Sequence, residues 1–290
     1  MSSTTNLTLY VAGASYYSVR VEVALAEKGI NYDRCTINGF ICENLEPWYM
    51  KMNPTGKVPT LMHGDKPVCG SAAILKYLDD EFPETVSLYP DKQSPLYDQI
   101  KQFEELVDSY FLGTLVGGCY KYPKYVPKFG LWDHNCCKNI WMVGHKIIPS
   151  RAAENARKHP ELTELYERKK DNIVEYDPTE EVFKDVLEKV KNIVDTAEEK
   201  FQDRADKGEK VEYFMTDNFS SADIYLVVFL KKVGAIGFSS YWEDGKHPFV
   251  TEYFKRLKQR PSVKEVFKVY DADIQKISEF QIKGLFAGKL

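Results

Sequence analysis

No stretch of this sequence holds the roughly 18 consecutive apolar residues that a membrane-crossing helix needs, so no transmembrane segment is expected. Residues 1–6 are polar and lack the apolar stretch of a secretory signal. The six cysteines, Cys35, Cys42, Cys69, Cys119, Cys136 and Cys137, form no Cys-x-x-Cys pair and no Cys/His spacing of the zinc type. That leaves no metal centre to expect and no dithiol redox motif. In a chain of 290 residues they read as free thiols of a reducing, cytoplasmic compartment, and Cys136-Cys137 as two separately packed thiols. Excess charge is lacking as well. Lys and Arg number 39 against 43 Asp and Glu, a net charge of −4 with a pI near 5.9, which gives nucleic-acid binding no support. What is present is ordinary and globular: 43% hydrophobic and 28% charged residues, in a chain long enough for two domains with cores of their own.

The most informative stretch is 53–78, N-P-T-G-K-V-P-T-L-M-H-G-D-K-P-V-C-G-S-A-A-I-L-K-Y-L. A turn with Pro54 and Gly56 leads into a short apolar strand over 58–62, residues 63–66 supply hairpin chemistry, and 67–69 return. Gly70-Ser71 then opens a helix with Ala73, Ile74, Tyr77 and Leu78 on its apolar face. Pro59 removes a ladder donor at the start of a strand, so it belongs at an edge or a special turn. A cis Val58-Pro59 bond would turn the Val58 backbone outward, where its N–H and C=O can pair with an extended ligand.

Around this stretch the order is strand (7–11), helix (19–28, with Gly29 at its C-terminal cap), strand (32–37), an irregular segment with a helical turn near Trp48, then the hairpin and helix. That order fits an α/β thioredoxin-like domain. Residues 87–95 carry two prolines and read as a linker, and beyond them strand signals nearly vanish. The helical pattern predicts one long amphipathic helix over 97–115, an interruption over 119–132, and helix again over 134–148. Residues 151–177 are dense in both charge signs and read as a solvated helix or mobile insertion without chemistry. Over 180–201, Val182, Val186, Val190, Ile193, Val194 and Ala197 line an apolar face, and 203–212 read as a charged loop. The best helix start is Ser220 with Asp223 three residues on, a capping box flanked by the staple pair Phe219 and Ile224. Helices over 249–259 and 263–273 complete an all-helical second domain, Pro261 beginning the last. The expected boundaries are 5–84 for the first domain and 95–280 for the second, with the charged insertion near 150–178.

The strand entered through V-P-T-L, the hairpin and the A-I-x-x-Y-L helix together resemble the glutathione-binding half of the glutathione S-transferase superfamily. The segments Y-W-E-D-G-K-H-P-F-V-T-E-Y-F-K-R-L and E-P-W-Y-M-K-M-N-P-T-G-K-V-P-T-L-M-H-G are similar to its ganglioside-induced differentiation-associated branch, as is the long insertion. Bacterial ether-cleaving and dehalogenating relatives and maleylacetoacetate isomerases look similar more distantly. The resemblance covers roughly residues 7–270. Vertebrate members of the branch carry a C-terminal membrane anchor. Residues 279–290 here are too short and polar to be one, so either this member is soluble or the chain is truncated.

The resemblance implies a detoxification-type glutathione transferase, a homodimer, with glutathione as co-substrate and a small hydrophobic electrophile. The thiolate is the nucleophile, so a hydrogen-bond donor and a positive helix end must lower a thiol pKa of about 8.5. By likeness to the serine-type classes, Ser15 matches the catalytic position before the first helix. The other reading is that Ser15 or Ser18 only caps that helix, and Tyr16 and Tyr17 are alternative donors. No cysteine stands at the Ser15 position, against a thiol oxidoreductase. Val58 and Pro59 would present backbone to the cysteinyl residue, Ser71 would meet the γ-glutamyl carboxylate at a helix N-terminus, and Lys57 the glycyl carboxylate. Gly70 departs from the family, which usually has Glu or Asp there. A charge-assisted bond lost at that position costs roughly 1.5–3 kcal/mol. Tyr110, Phe111, Tyr120, Tyr122, Tyr125 and Trp132 are candidate linings of an electrophile pocket, although helix-packing core is the better reading for any one of them. The alternatives are a non-catalytic binding or regulatory module, which Gly70 favours, and a glutathione-dependent isomerase, dehalogenase or ether-cleaving enzyme.

Overall fold

A computed structural model describes residues 6–110, 112–171 and 176–279 of the chain. Strand β1 (Leu7–Ala12) buries Leu7, Leu9 and Val11 and leaves the alternate residues half covered, the two-residue period of a strand with one dry face. Helix α1 (Tyr16–Lys28) crosses over to β2 (Asp33–Ile37), which pairs parallel with β1. A short α2 (Pro47–Met52) precedes the hairpin of β3 (Thr60–His63) and β4 (Lys66–Cys69), and α3 (Ser71–Glu81) closes the unit. The sheet order is β2-β1-β3-β4, with β3 antiparallel to both neighbours. The first domain is thus the mixed-sheet, thioredoxin-like unit that the element order predicts.

The second domain is helical: α4 (Pro95–Val107), α5 (Leu112–Lys121), α6 (His134–Met142), α7 (Ile148–Lys158), α8 (Thr163–Asp171), α9 (Glu180–Asp206), α10 (Ser221–Ile236), α11 (Pro248–Leu257) and α12 (Pro261–Glu279). Helix α10 is its axis. Ile224 to Leu230 are all within 2% of full burial, as a run apolar on every side requires. The Asp223 carboxylate accepts from the Ser220 N–H at 2.9 Å, the Phe214 N–H at 2.8 Å and the Tyr253 hydroxyl at 2.9 Å. Asp223 is a folding residue, and Phe219 and Ile224 are both buried at the staple positions.

Three expectations about helices are corrected. The long helix over 97–115 is two, because α4 ends at Asp108, whose carboxylate turns to the fully buried Arg20 of α1 at 2.8 Å. Val182 is 45% exposed; its neighbour Phe183 turns inward and sets the register that Val186, Val190, Ile193 and Ala197 follow. Phe183 can do so because Gly118 of α5 has no side chain: a Cβ there would lie 2.0 Å from the phenyl ring. The third correction is the charged insertion. Ala152 of α7, Leu162 of the turn that follows and Tyr166 of α8 are buried together against Cys42, Leu45 and Met50 of the first domain. Asn155 Nδ2 and the Tyr166 hydroxyl both donate to the Leu45 carbonyl, at 2.7 and 2.9 Å. The segment is docked rather than solvated, and its inner face reaches the site described next.

Candidate functional site

A cavity of about 580 Å³ lies where β1, α1 and the loop before β3 meet α5, α6, α8, α10 and α12. Ser15 lies on its wall as the N-cap of α1, between Gly13-Ala14 and Tyr16. Its Oγ accepts from the Ser18 N–H at 3.3 Å, which is the capping reading. That bond uses a lone pair and leaves the hydroxyl hydrogen to donate, so capping and donation to a ligand are compatible at one residue. The alternatives differ in their surroundings. Tyr16 is buried with its hydroxyl bonded to Arg20, and burial pushes its pKa upward. Tyr17 also lines the cavity, its ring edge-on to that of Tyr16. Ser18 is buried, its Oγ has no hydrogen-bond partner among the described residues, and it does not line the cavity.

Gly56, Lys57 and Val58 line the same cavity. The Lys57 carbonyl is taken by the Tyr49 hydroxyl and Asn53 Nδ2, and the Pro59 carbonyl by the Gly70 N–H at 3.1 Å. Between them, the N–H and C=O of Val58 have no partner among the described residues. The Val58-Pro59 bond is cis. Pro59 and Ser71 are buried and do not line the cavity; Ser71 is the first residue of α3, behind Gly70 as N-cap. Gly70 has φ +89°, a conformation that L side chains resist, although nothing lies within 4 Å of where its Cβ would be. No acidic residue occupies the first turn of α3.

The charged lining is uneven. Arg34, Lys57, Lys169 and Lys276 face the cavity as cations against a single acid, Asp273, among the described residues, and Lys232 lines it as a buried amine. Arg34 is held by Glu22 at 2.6 Å and by Asp273 at 3.3 Å. A thiolate or a carboxylate on this wall therefore sits in a positive field. Sequence reasoning missed Lys169 and Lys232. Lys169 comes from the insertion, is buried, and donates to the Gly56 carbonyl at 3.1 Å, one turn of chain from Val58. The signal was two short sets at helical spacing among the charges, Ala152 with Asn155 and Leu162 with Tyr166 and Lys169, on either side of His159-Pro160.

Of the aromatic candidates only Trp132 lines the cavity among the described residues. Tyr122 and Tyr125 pack on Phe183, Tyr120 on His134 and Trp141, and Tyr110 is buried against Phe229. Phe111 lies outside the described residues. The apolar lining comes instead from Leu112, Val116, Ile140, Val143 and Ile148. All six cysteines are free; burial pushes the thiols of Cys42 and Cys136 up to about 12, which makes them core groups and not nucleophiles.

Two family models match the chain, the glutathione S-transferase N-terminal domain over residues 9–86 and its C-terminal domain over 149–261. The chain belongs to the glutathione S-transferase superfamily. It is 25% identical over 281 residues to the human ganglioside-induced differentiation-associated protein 1-like 1, a match spanning 90% of this chain and 73% of that protein. To protein LigF of Sphingobium sp. it is 27% identical over 274 residues, spanning 90% and 93%. The crystal structure of that protein, a beta-etherase, superposes with a TM-score of 0.66 over 91% of this chain and 99% of the other, at 24% identity. The glutathione transferase URE2P6 of Phanerochaete chrysosporium, in complex with oxidized glutathione, shares the fold at a TM-score of 0.59 and 18% identity, covering 94% of this chain and all of the other.

Proposed function

We propose that this chain is a glutathione-dependent transferase that joins the glutathione sulfur to a small hydrophobic electrophile. The observation that carries the reading is the convergence on one cavity of the Ser15 hydroxyl, at the positive end of α1, and the unpaired Val58 backbone. Bound glutathione would supply the thiolate nucleophile. Ser15 would donate its hydroxyl hydrogen to the sulfur and hold it ionised, while its lone pair keeps the cap on Ser18. Val58 would pair N–H and C=O with the peptide, the edge-strand mode of peptide capture. Lys57, and Lys169 from the docked insertion, place two cations beside Gly56 for a carboxylate. The residues fit the thiol and one carboxylate of the tripeptide; Ser71, expected at the γ-glutamyl carboxylate, does not line the cavity, and the ammonium group has no acid in the first turn of α3.

The apolar wall of Leu112, Val116, Ile140 and Trp132 would hold the acceptor away from water. The likeness to LigF favours a second version of the chemistry, in which the sulfur displaces an aryl ether oxygen from carbon. A homodimer in the cytoplasm belongs to the same proposal and agrees with six reduced thiols. Isothermal titration with reduced glutathione tests the reading. Binding in the micromolar to millimolar range supports it. Silence at high millimolar concentration would replace it with a non-catalytic binding module whose Gly70 has disabled the site.

A further inference from the structure

The inner end of the cavity holds a lysine that the glutathione chemistry does not use. Lys232 of α10 is 1% exposed, yet its Nζ has no hydrogen-bond partner among the described residues. Its one close neighbour of note is the indole of Trp132, with Nζ 2.8 Å from the ring centroid. The titratable groups that face it are Cys119 of α5 and Cys136 and Cys137 of α6, and no carboxylate is among them. The Trp132 indole N–H stands beside the Tyr270 hydroxyl, and neither makes a hydrogen bond of good geometry among the described residues. A buried amine without an acid costs stability, because the charged form is desolvated and nothing returns the lost hydration. The surroundings therefore hold Lys232 well below the ordinary lysine range.

Lys232 Nζ and the Trp132 N–H are both donors, and the walls next to them are Leu112, Val116 and Ile140. A ligand that satisfies this end must bring an acceptor on an apolar body. Resting on the reading of the cavity as the acceptor pocket, we propose that Lys232 recognises the carboxylate of an apolar organic acid, seated against Trp132 with its body along α5 and α6. A carboxylate supplies the missing counter-charge, so the amine takes up a proton as the acid binds. No bond is made or broken in this step; the proton comes from solvent and the pair forms inside the pocket.

The test compares phenylbutyrate with its methyl ester, two probes of nearly equal apolar surface, by calorimetry on the wild-type protein and on Lys232→Met. The expected result is that the acid binds about 30-fold tighter than the ester, the lower end for a buried charge pair. That preference should vanish in Lys232→Met. Titrations in buffers of different ionisation enthalpy should show net proton uptake, and the preference should shrink as pH rises. Lys232→Met should be at least as resistant to urea as the wild type, since methionine fills the space without a buried amine; this checks that the variant folds. Equal binding of acid and ester, or a preference that survives Lys232→Met, would overturn the proposal. So would borohydride trapping of phenylpropionaldehyde on Lys232 without any acid preference, which would make the amine an imine-forming group. Glutathione titration of the same wild-type preparation reports separately on the transferase reading.

Discussion

Ser15 caps α1 in this structure and is the donor to the glutathione sulfur in the proposed function, and a pair of substitutions separates the two roles. As N-cap it accepts from the Ser18 N–H at 3.3 Å, longer than the usual 2.9–3.0 Å. The cap is thus at the weak end of the range, and Ser15→Ala should cost about 0.5 kcal/mol of stability, Ser15→Gly only a few tenths. As donor to a bound thiolate, the hydroxyl is worth more. A hydrogen bond to a charged group contributes about 1.5–3 kcal/mol, and each pKa unit corresponds to about 1.4 kcal/mol. Its loss should raise the bound thiol's midpoint by roughly 1–2 units, leaving only the helix end, worth about 0.3–1 kcal/mol, to depress it. The assay is the thiolate ultraviolet absorbance of the glutathione complex as a function of pH, beside urea unfolding of each variant. Both variants should share one raised midpoint while differing slightly in stability. Transferase rate at neutral pH should fall about 10- to 100-fold in each. If either variant keeps the wild-type midpoint, Ser15 is a cap and nothing more, and Tyr17 becomes the donor to test.

Asp223→Ala should leave the buried Ser220 and Phe214 N–H groups and the Tyr253 hydroxyl without their acceptor and cost about 4 kcal/mol, read as a shift of the urea midpoint; a loss under about 1 kcal/mol contradicts this account. Gly118→Ala, against the Phe183 ring, should destabilise by about 1–3 kcal/mol in spite of alanine's better helix propensity. Trimming the ring with Phe183→Leu in the same chain should recover part of that, and an additive double mutant would speak against the clash. His247 is desolvated by burial, but its bonds to Asp195 and Asp244 prevail and raise its pKa above the ordinary 6.5. The folded state therefore holds this proton more tightly than the unfolded chain. Its stabilisation is full below about 6.5 and is lost as pH climbs through the raised value. Unfolding of His247→Gln across that window should differ from the wild type most on the acid side, and a constant difference would show that charge plays no part.

Much of the fold was legible because its signals are local. Val58-Pro59, the hairpin residues and the capping box of Ser220 and Asp223 each specify backbone conformation within a few residues, and the structure places them in those roles. Helix α10 was legible for the same reason: a run apolar all round has nowhere to go but the core. The errors fall where a distant partner decides. Asp108 ends α4 because Arg20, 88 residues earlier, lies buried beside it. Val182 and Phe183 are adjacent and both apolar, and only the space over Gly118 determines which one turns inward.

The sequence by itself determined the order of strands and helices and the loop that carries Ser15, since period, capping and turn chemistry act over one or two helical turns, and its motifs carried the resemblance to the superfamily. Tertiary structure alone decided what the cavity is made of. A segment rich in charges becomes a docked wall because Asn155 and Tyr166 find the same buried carbonyl, Leu45, more than 100 residues away. That docking delivers Lys169 to Gly56. Likewise Lys232 shows its lack of an acid only once α5, α6 and α10 have closed around it. Local sequence fixes which way a backbone turns; whether a charge has a partner depends on the elements that fold against it.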